Sequence, residues 1–116
     1  MAFEVVRSRA SDRDLEAIFD HLAATYQAFG DTLAEALDRA AARVRAIEDD
    51  MERLGRTPFQ GTRREELRPS LRQVTRNRAI FYFEVDEAAE ELRVLAVFFG
   101  GQDHVAQMLR RLGRGS

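Results

Sequence analysis

Residues 71–99 read LRQVTRNRAIFYFEVDEAAEELRVLAVFF, and this stretch decides the fold. From Leu71 the pattern changes to period two, which is typical of a strand with two distinct faces. Asp86–Glu91 is polar and predicts a hairpin loop. Leu92–Phe99 is apolar on both faces after its start, which predicts a central strand covered on both sides. The predicted faces of the earlier strand are Arg76, Arg78, Ile80, Tyr82 and Glu84 on one side and Asn77, Ala79, Phe81, Phe83 and Val85 on the other.

Two amphipathic helices are predicted before this segment. The first spans Ser11–Phe29, with Ser11 as N-cap and Asp14 in the capping-box position, and the second spans Asp31–Leu54, with Asp31 as N-cap. The apolar residues of the second helix recur at heptad-like spacing, which is compatible with a coiled-coil dimer. Because only a Gly-Asp corner separates the helices, an antiparallel hairpin within the chain is favoured. Its predicted contacts are Leu15, Ile18, Leu22, Leu37, Val44 and Ile47.

The remaining segments complete an α+β pattern. Phe3–Arg7 predicts a short first strand, residues 56–70 a connecting loop with a helical turn at Arg64–Leu67, and Asp103 the cap of a short last helix. We therefore expect an antiparallel sheet, made of a meander and the N-terminal strand, with the helical hairpin on one face and a short C-terminal helix. The length of 116 residues fits a single domain over residues 1–116.

The composition excludes several classes of protein. The chain has no cysteine and no lysine, so disulfides, thiolate chemistry and lysine Schiff bases are excluded. Its two histidines, His21 and His104, lie in distant segments, so we expect no metal and no cofactor. No apolar run approaches the ~20 residues of a membrane helix. The N-terminus lacks a signal-peptide pattern, and we therefore expect a cytoplasmic protein that does not enter a membrane.

The cationic residues, all arginines, are unevenly placed. The net charge is −2 and the sequence pI is about 5.7, which does not favour a uniformly basic nucleic-acid binder. A local basic patch is compatible with this balance, because seven arginines lie close together in sequence. The alternative is an ordinary solvated strand face with Glu84 as a cross-strand partner. The clustered arginines are Arg56, Arg63, Arg64, Arg68, Arg72, Arg76 and Arg78.

Four segments together resemble the RelE/ParE superfamily of type II toxin–antitoxin toxins, and the ParE (plasmid stabilisation) branch in particular. They are Ser11-x-x-Asp14-Leu15-x-x-Ile18; Pro58-x-x-Gly61 with Glu66-Leu67-Arg68-Pro69-x-Leu71-Arg72; the strand Arg78–Val85; and Arg93–Phe99 followed by Gln102-Asp103. The resemblance runs from about Phe3 to Leu112. It implies a small toxin neutralised by a cognate antitoxin in a heterodimer or a higher hetero-oligomer. ParE-type members poison DNA gyrase, whereas RelE-type members are ribosome-dependent mRNA endonucleases.

The residues favour the gyrase branch over the nuclease branch. RelE-type nucleases combine basic and aromatic side chains to move protons and hold a phosphate. The matching strand position falls at Arg78 or Ala79, and the basic residue expected within Phe99–Gln102 is missing. Arg78 and His104 are the only candidate catalytic residues, so we lean towards a protein that is not an enzyme. Arg72, Arg76 and Arg78 are the candidate target-binding residues, with gyrase as the expected target. An arginine-based nuclease acting on ribosome-bound mRNA is the alternative, and an inactive relic is a third reading.

The last strand also suggests where the antitoxin binds. If the hairpin covers one face of the sheet, a single short helix remains to cover the other. An incompletely covered apolar face is a binding surface by default. We therefore expect an antitoxin segment to dock at Leu95, Val97 and Phe98, as a helix in a groove or as an added strand.

Overall fold

The computed structural model describes residues 2–100 and 103–114, and it has the α+β fold expected from the sequence. Its five strands form one sheet in the order β1-β5-β4-β3-β2, with a helical hairpin at the N-terminus and a short C-terminal helix. The elements are β1 (Glu4–Arg7), α1 (Arg9–Ala28), α2 (Leu33–Arg53), a 3₁₀ turn (Leu54–Arg56), β2 (Thr62–Arg63), β3 (Leu71–Arg76), β4 (Ala79–Asp86), β5 (Glu91–Phe99) and α3 (His104–Arg114).

The sheet is mixed, since β1 runs parallel to β5 while the other pairs are antiparallel. The expectation of an antiparallel sheet is therefore correct for the meander and wrong for the N-terminal strand. The sequence of so short a strand does not indicate whether it pairs parallel or antiparallel with its neighbour. The strand β1 is held in place by a contact outside its pairing with β5, in which the Phe3 amide donates to the Gly55 carbonyl at 2.8 Å. A Cβ at Gly55 would lie 2.4 Å from the Phe3 carbonyl oxygen, so only glycine allows this approach.

The segment predicted as a single strand from Leu71 onward is a hairpin. Asn77 and Arg78 form its turn with φ of 49° and 70°, so both central residues are left-handed, as in a type I′ turn. The usual signal for such a turn is Asn-Gly, and Arg78 stands where glycine is expected. Contacts from α2 hold the turn instead: Asn77 donates to the Asp50 carboxylate at 2.8 Å and accepts from Arg43 at 3.1 Å. Arg76 and Arg78 therefore do not share a strand face.

The period-two pattern is confirmed from Ala79 onward. One face of β4 joins the hairpin-side core and the other joins a second cluster beneath α3, which we call the α3-side core. The strand β5 is buried from both sides in the same way, as expected. The hairpin-side core includes Leu15, Ile18, Leu22, Ile47, Met51, Ala79, Phe81, Phe83, Leu92, Val94 and Val97. The α3-side core consists of Leu71, Ile80, Tyr82, Ala96, Phe98 and Met108, with Leu67, Leu95 and Leu112 packed against it.

The helix caps differ from the predicted ones by one turn or less. Ser8, not Ser11, caps α1, because the Ser11 amide donates to the Ser8 hydroxyl at 3.0 Å. Thr32, not Asp31, caps α2 through a capping box with Glu35. In both places two cap-forming residues lie close together, and the sequence does not rank them. The cap predicted for α3 is confirmed, since Asp103 accepts from the Ala106 amide at 3.2 Å.

The heptad series of α2 packs as predicted over most of its length, since Ala40, Ile47, Met51 and Leu54 are buried. It fails at the start of the helix, where Leu37 is 39% exposed and Leu33 is 57% exposed. Ala36, which is not in the predicted series, is fully buried there instead. We attribute this to size, because small side chains let two helices approach closely at their contact. The leucines that should have filled the interface are left at the surface of the hairpin.

The hairpin register can be tested by placing a charge in it. Ile47→Asp puts an unpaired carboxylate in a position that is 1% exposed, and we expect it to lower the free energy of unfolding in urea by about 3 kcal/mol or more. Val44→Asp should cost less, because Val44 is half-buried at the edge of the core. The matched control is Ala46→Asp, next to Ile47 on the exposed side of α2. Equal urea midpoints for Ile47→Asp and Ala46→Asp would show that the register is wrong.

Candidate functional site

Arg72 and Arg76 lie on one face of β3 and are held by the loop before it. Alternate residues of a strand share a face, and Val74 between them belongs to the hairpin-side core. Arg72 donates to the Phe59 carbonyl at 2.8 Å, and its guanidinium lies 5.6 Å from the Phe59 ring. Arg76 donates to the side-chain oxygen of Gln60. The two arginines are therefore brought together as predicted, with their donors partly occupied.

Arg78 lies in the β3–β4 turn, with its guanidinium 5.7 Å from the centre of the Phe99 ring. Within residues 2–100 and 103–114, no carboxylate lies within ion-pair distance of Arg72, Arg76 or Arg78. Glu84 was considered as their cross-strand partner, but it lies opposite Leu71 and pairs with Arg68 at 3.1 Å. The three arginines thus form an unneutralised cationic strip along β3 and its turn.

His104 lies on the other face of the sheet, where it meets Tyr82. The Tyr82 hydroxyl and His104 Nδ1 are 2.8 Å apart, and Tyr82 belongs to the α3-side core. The aromatic partner of Arg78 is Phe99, which packs against the hairpin-side core. The structure therefore does not bring together Arg78 and His104, the two candidate catalytic residues. Gly101 and Gln102, where a family basic residue was sought, lie outside the described residues.

Arg64 joins the Tyr82–His104 pair and was missed as a site residue. It donates to the Gln73 side chain at 2.5 Å, and Gln73 is the cross-strand neighbour of Tyr82. The pKa of the Tyr82 hydroxyl is raised above its ordinary value, mainly by burial. The charge of Arg64 lowers this pKa and the charge of Glu66 raises it, both by less than burial does. Glu66 is itself hydrogen-bonded to Arg64, which lowers the pKa of that carboxyl. A histidine oriented by a buried tyrosine beside an arginine has the parts of a small acid–base site. In sequence they lie far apart, and only the pairing of β3 with β4 joins them.

The three residues expected to bind an antitoxin are separated by the pleat of β5. Val97 is 1% exposed in the hairpin-side core, and Phe98 is 3% exposed in the α3-side core. Consecutive strand residues point to opposite faces, so these two side chains offer no common surface. Leu95 alone remains partly exposed. It lines a groove of about 510 Å³ whose other walls are Ser8, Ala10, Leu67, Arg68, Pro69, Met108, Arg111 and Leu112.

Asp14 closes the outer edge of β5 beyond the end of β1. Its carboxylate accepts from the Val97 amide at 2.9 Å and forms a two-bonded ion pair with Arg111 at 2.9 Å. The hydrogen bond to Asp14 raises the pKa of the Arg111 guanidinium. Ser8 donates to the Leu95 carbonyl at 3.3 Å one step earlier on the same edge. An added strand therefore finds this edge occupied. The sequence suggested only a capping role for Asp14.

The described part of the chain contains neither a cluster of metal-ligating side chains nor a helix that could span a membrane. Among these residues, no group of three or more histidine, aspartate or glutamate side chains is arranged to hold a metal ion. No helix within them is both long enough and apolar enough to cross a membrane.

The solved structures that share this fold include two from toxin–antitoxin systems. A chain of the chromosomal ParDE toxin–antitoxin system from P. aeruginosa has a TM-score of 0.66 at 21% identity, covering 84% of this chain and 96% of that one. A chain of the RelBE2 toxin–antitoxin complex from Mycobacterium tuberculosis has a TM-score of 0.52 at 16% identity, covering 86% and 100%. No protein-family model and no curated protein matches the sequence. The chain therefore shares its fold with these two chains of toxin–antitoxin systems, as its resemblance to the RelE/ParE superfamily implied.

The role of Asp14 can be tested by removing its carboxylate. Asp14→Ala leaves the Val97 amide and Arg111 without their acceptor, so we expect a loss of about 1–3 kcal/mol in the free energy of unfolding. The control is Asp12→Ala, which breaks the more exposed ion pair with Arg7 and should cost less than about 1 kcal/mol. Equal losses in urea unfolding would show that Asp14 does not lock the strand edge.

The buried state of Tyr82 predicts a shifted titration. In a Tyr26→Phe variant Tyr82 is the only tyrosine. Because burial raises its pKa, its phenolate absorbance should rise at a higher pH in the folded protein than in denaturant, where the pKa is about 10. The folded state holds this proton more tightly, so the resulting stability is complete below about pH 10 and is lost as the pH rises through the folded pKa. Titration of the folded variant at or below its value in denaturant would contradict the burial of this hydroxyl.

Proposed function

We propose that this protein is the toxin of a type II toxin–antitoxin pair, that a cognate antitoxin neutralises it, and that it acts by binding DNA gyrase without cleaving RNA. The observation that carries the proposal is the fold match, which spans 96% of a chain from a ParDE toxin–antitoxin system. Fold alone does not define function, so the choice of target rests on the residues of the site.

Three features support a gyrase-binding toxin over a nuclease. The likeness to the ParDE chain, with a TM-score of 0.66, exceeds the likeness to the RelBE2 chain, at 0.52. Arg78 and His104 lie on different faces of the sheet, so they do not converge on one phosphate. Arginine stays protonated at neutral pH and is a poor general base. The chain has no lysine to replace it.

The cationic strip of Arg72, Arg76 and Arg78 is the proposed target-binding surface. Arg76 and Arg78 are exposed, and Arg72 is half-buried against Phe59. Because these cations have no carboxylate partner within the part of the chain that the structure describes, their positive potential is available to attract an acidic surface of another protein. Charge complementarity of this kind mainly raises the rate and specificity of association.

The groove at Leu95 is the proposed place for an antitoxin segment. Its walls combine apolar side chains from β5, α3 and the loop at Leu67 with the guanidinium groups of Arg68 and Arg111. Such a groove fits the apolar face of a helix with an acidic residue at its edge. Phe98 contributes only if α3 moves away from the sheet, because α3 covers the face on which Phe98 lies. Val97 stays covered by the hairpin on the other face.

The alternative function, a ribosome-dependent mRNA endonuclease, is favoured by one observation. His104, oriented by the Tyr82 hydroxyl at 2.8 Å, supplies a proton donor or acceptor, and the Arg64 cation acts electrostatically on the same tyrosine. In this reading Arg64 replaces Arg78 as the phosphate-binding residue. Tyr82 is fully buried and positions His104 without reaching a substrate.

The proposed target is tested with purified gyrase in a DNA supercoiling assay. The wild-type chain should inhibit supercoiling, and the cognate antitoxin from the neighbouring reading frame should reverse the inhibition. A variant with Arg72, Arg76 and Arg78 replaced by alanine should need about tenfold more protein for the same inhibition. The control replaces Arg9, Arg13 and Arg45, three exposed arginines of the hairpin, and removes the same charge. An equal effect in the control would argue against the strip as the contact.

The nuclease alternative is tested in a translation reaction with a defined mRNA. Our proposal expects no mRNA cleavage by the wild-type chain. Site-specific cleavage that disappears in His104→Ala and Arg64→Ala, and persists in Arg78→Ala, would overturn the gyrase proposal and establish the second site.

A further inference from the structure

The helical hairpin carries a groove that none of the functions above uses. It has a volume of about 810 Å³ and lies between α1 and α2, open to solvent. Its floor is apolar, made by Leu15, Phe19 and Val44, and its rim is acidic. The rim residues are Asp12, Glu16, Asp20 and Glu48, with Arg7 as the single cation among the lining residues.

The acidic rim is only partly neutralised within the chain. Arg7 pairs with both Asp12 and Glu48 at 2.8 Å, so its charge is already shared. Glu16 and Asp20 form no ion pair with any side chain that the structure describes. They are four residues apart on α1, where like charges destabilise a helix by a few tenths of a kcal/mol, about 0.2–0.5. A bound cation next to them would relieve this repulsion.

The apolar floor continues along α2 to the tip of the hairpin. Leu33, Leu37 and Val44 share one face of a helix, because steps of four and seven residues return to the same side. Leu33 and Leu37 are the leucines left outside the intramolecular interface, 57% and 39% exposed. Phe29, which caps the end of α1, is also 86% exposed. The stripe from Leu33 to Val44 is about 16 Å long at 1.5 Å per residue, which is about three helical turns.

We propose that this face of the hairpin binds a cationic amphipathic α-helix of another protein. The partner's apolar residues, spaced at three and four, would lie on the stripe of Leu33, Leu37, Phe19 and Val44. Its lysine or arginine residues would lie against Glu16 and Asp20. The segment from Arg9 to Arg53 has eleven carboxylates and six arginines, so its charge repels an acidic helix and attracts a basic one. This surface lies on α1 and α2, apart from the cationic strip of β3, and the proposal does not depend on the gyrase assignment.

The experiment measures binding of a labelled synthetic peptide by fluorescence anisotropy. The probe is an acetylated helical peptide with a leucine row at i, i+4, i+7 and i+11 and lysines on both sides of that row. We expect the wild-type chain to bind it and to bind weakly, or not at all, a peptide with glutamate at every lysine position. No binding of the lysine peptide, or equal binding of both peptides, would overturn the proposal.

Paired charge variants locate the bound peptide. Glu16→Arg with Asp20→Arg should weaken binding at least about tenfold, since like charges then face the lysines. The control, Asp49→Arg with Glu52→Arg, changes two exposed acids outside the groove by the same net charge and should leave the affinity within about twofold. Equal weakening by both variants would mean that the peptide senses only the net charge, and it would overturn the groove as the site.

A second pair of variants tests the apolar stripe. Leu33→Ser with Leu37→Ser should weaken the peptide at least about tenfold by removing exposed apolar area, without unfolding the hairpin. Leu109→Ser, at a leucine on α3 that is 50% exposed, should have no effect. If the wild-type chain self-associates in sedimentation and the Leu33 and Leu37 variant is monomeric, the stripe is an interface between copies of this chain and the proposal fails. A gyrase result of either sign leaves these outcomes unchanged.

Discussion

The structure depends on one requirement, that β5 be buried on both of its faces. A strand that is apolar on both sides must lie inside a layered fold. The hairpin supplies one cover, through Leu15, Ile18 and Ile47, and α3 supplies the other, through Met108. Because of this need, α3 packs on the face of the sheet opposite the hairpin. It also places His104, the first residue of α3, against the face that contains Tyr82.

The same strand creates a second constraint at its edge. β1 pairs only with the first part of β5, from Glu91 to Val94, so the backbone beyond it would be unpaired. Unpaired edge groups are open to strand addition. Ser8 and Asp14 at the start of α1 take up these groups at Leu95 and Val97. Asp14 then binds Arg111, so one carboxylate joins α1, β5 and α3. The contact that closes the edge of β5 therefore also holds α3 against the sheet.

The sequence predicts periodic features well and features of single residues poorly. The two faces of Ala79–Val85 and the double burial of β5 follow from alternation, which tertiary packing preserves. The Asn77-Arg78 turn was missed because its geometry depends on Asp50 and Arg43 of α2. At the start of α2 the residue that packs is set by how closely the helices approach, so Ala36 is buried and Leu37 is exposed. The arginine strip was named from sequence, whereas the Tyr82–His104–Arg64 cluster needs a strand pairing that no local pattern reveals.

The separation of the two sheet faces limits what this protein does chemically. The strip of Arg72, Arg76 and Arg78 supplies positive charge, and the Asp50 carboxylate beside its turn is hydrogen-bonded to Asn77 and Arg53. The opposite face has His104, Arg64 and the Tyr82 hydroxyl, whose pKa burial raises further above neutral pH. Metal-free cleavage of RNA needs a base, an acid and a phosphate clamp converging on one atom. The separation of these groups on two faces supports our proposal that the strip serves target binding, while His104 lies beside α3, where displacement of the helix would remove it. An antitoxin that moves α3 would abolish any acid–base chemistry of His104 without touching the strip.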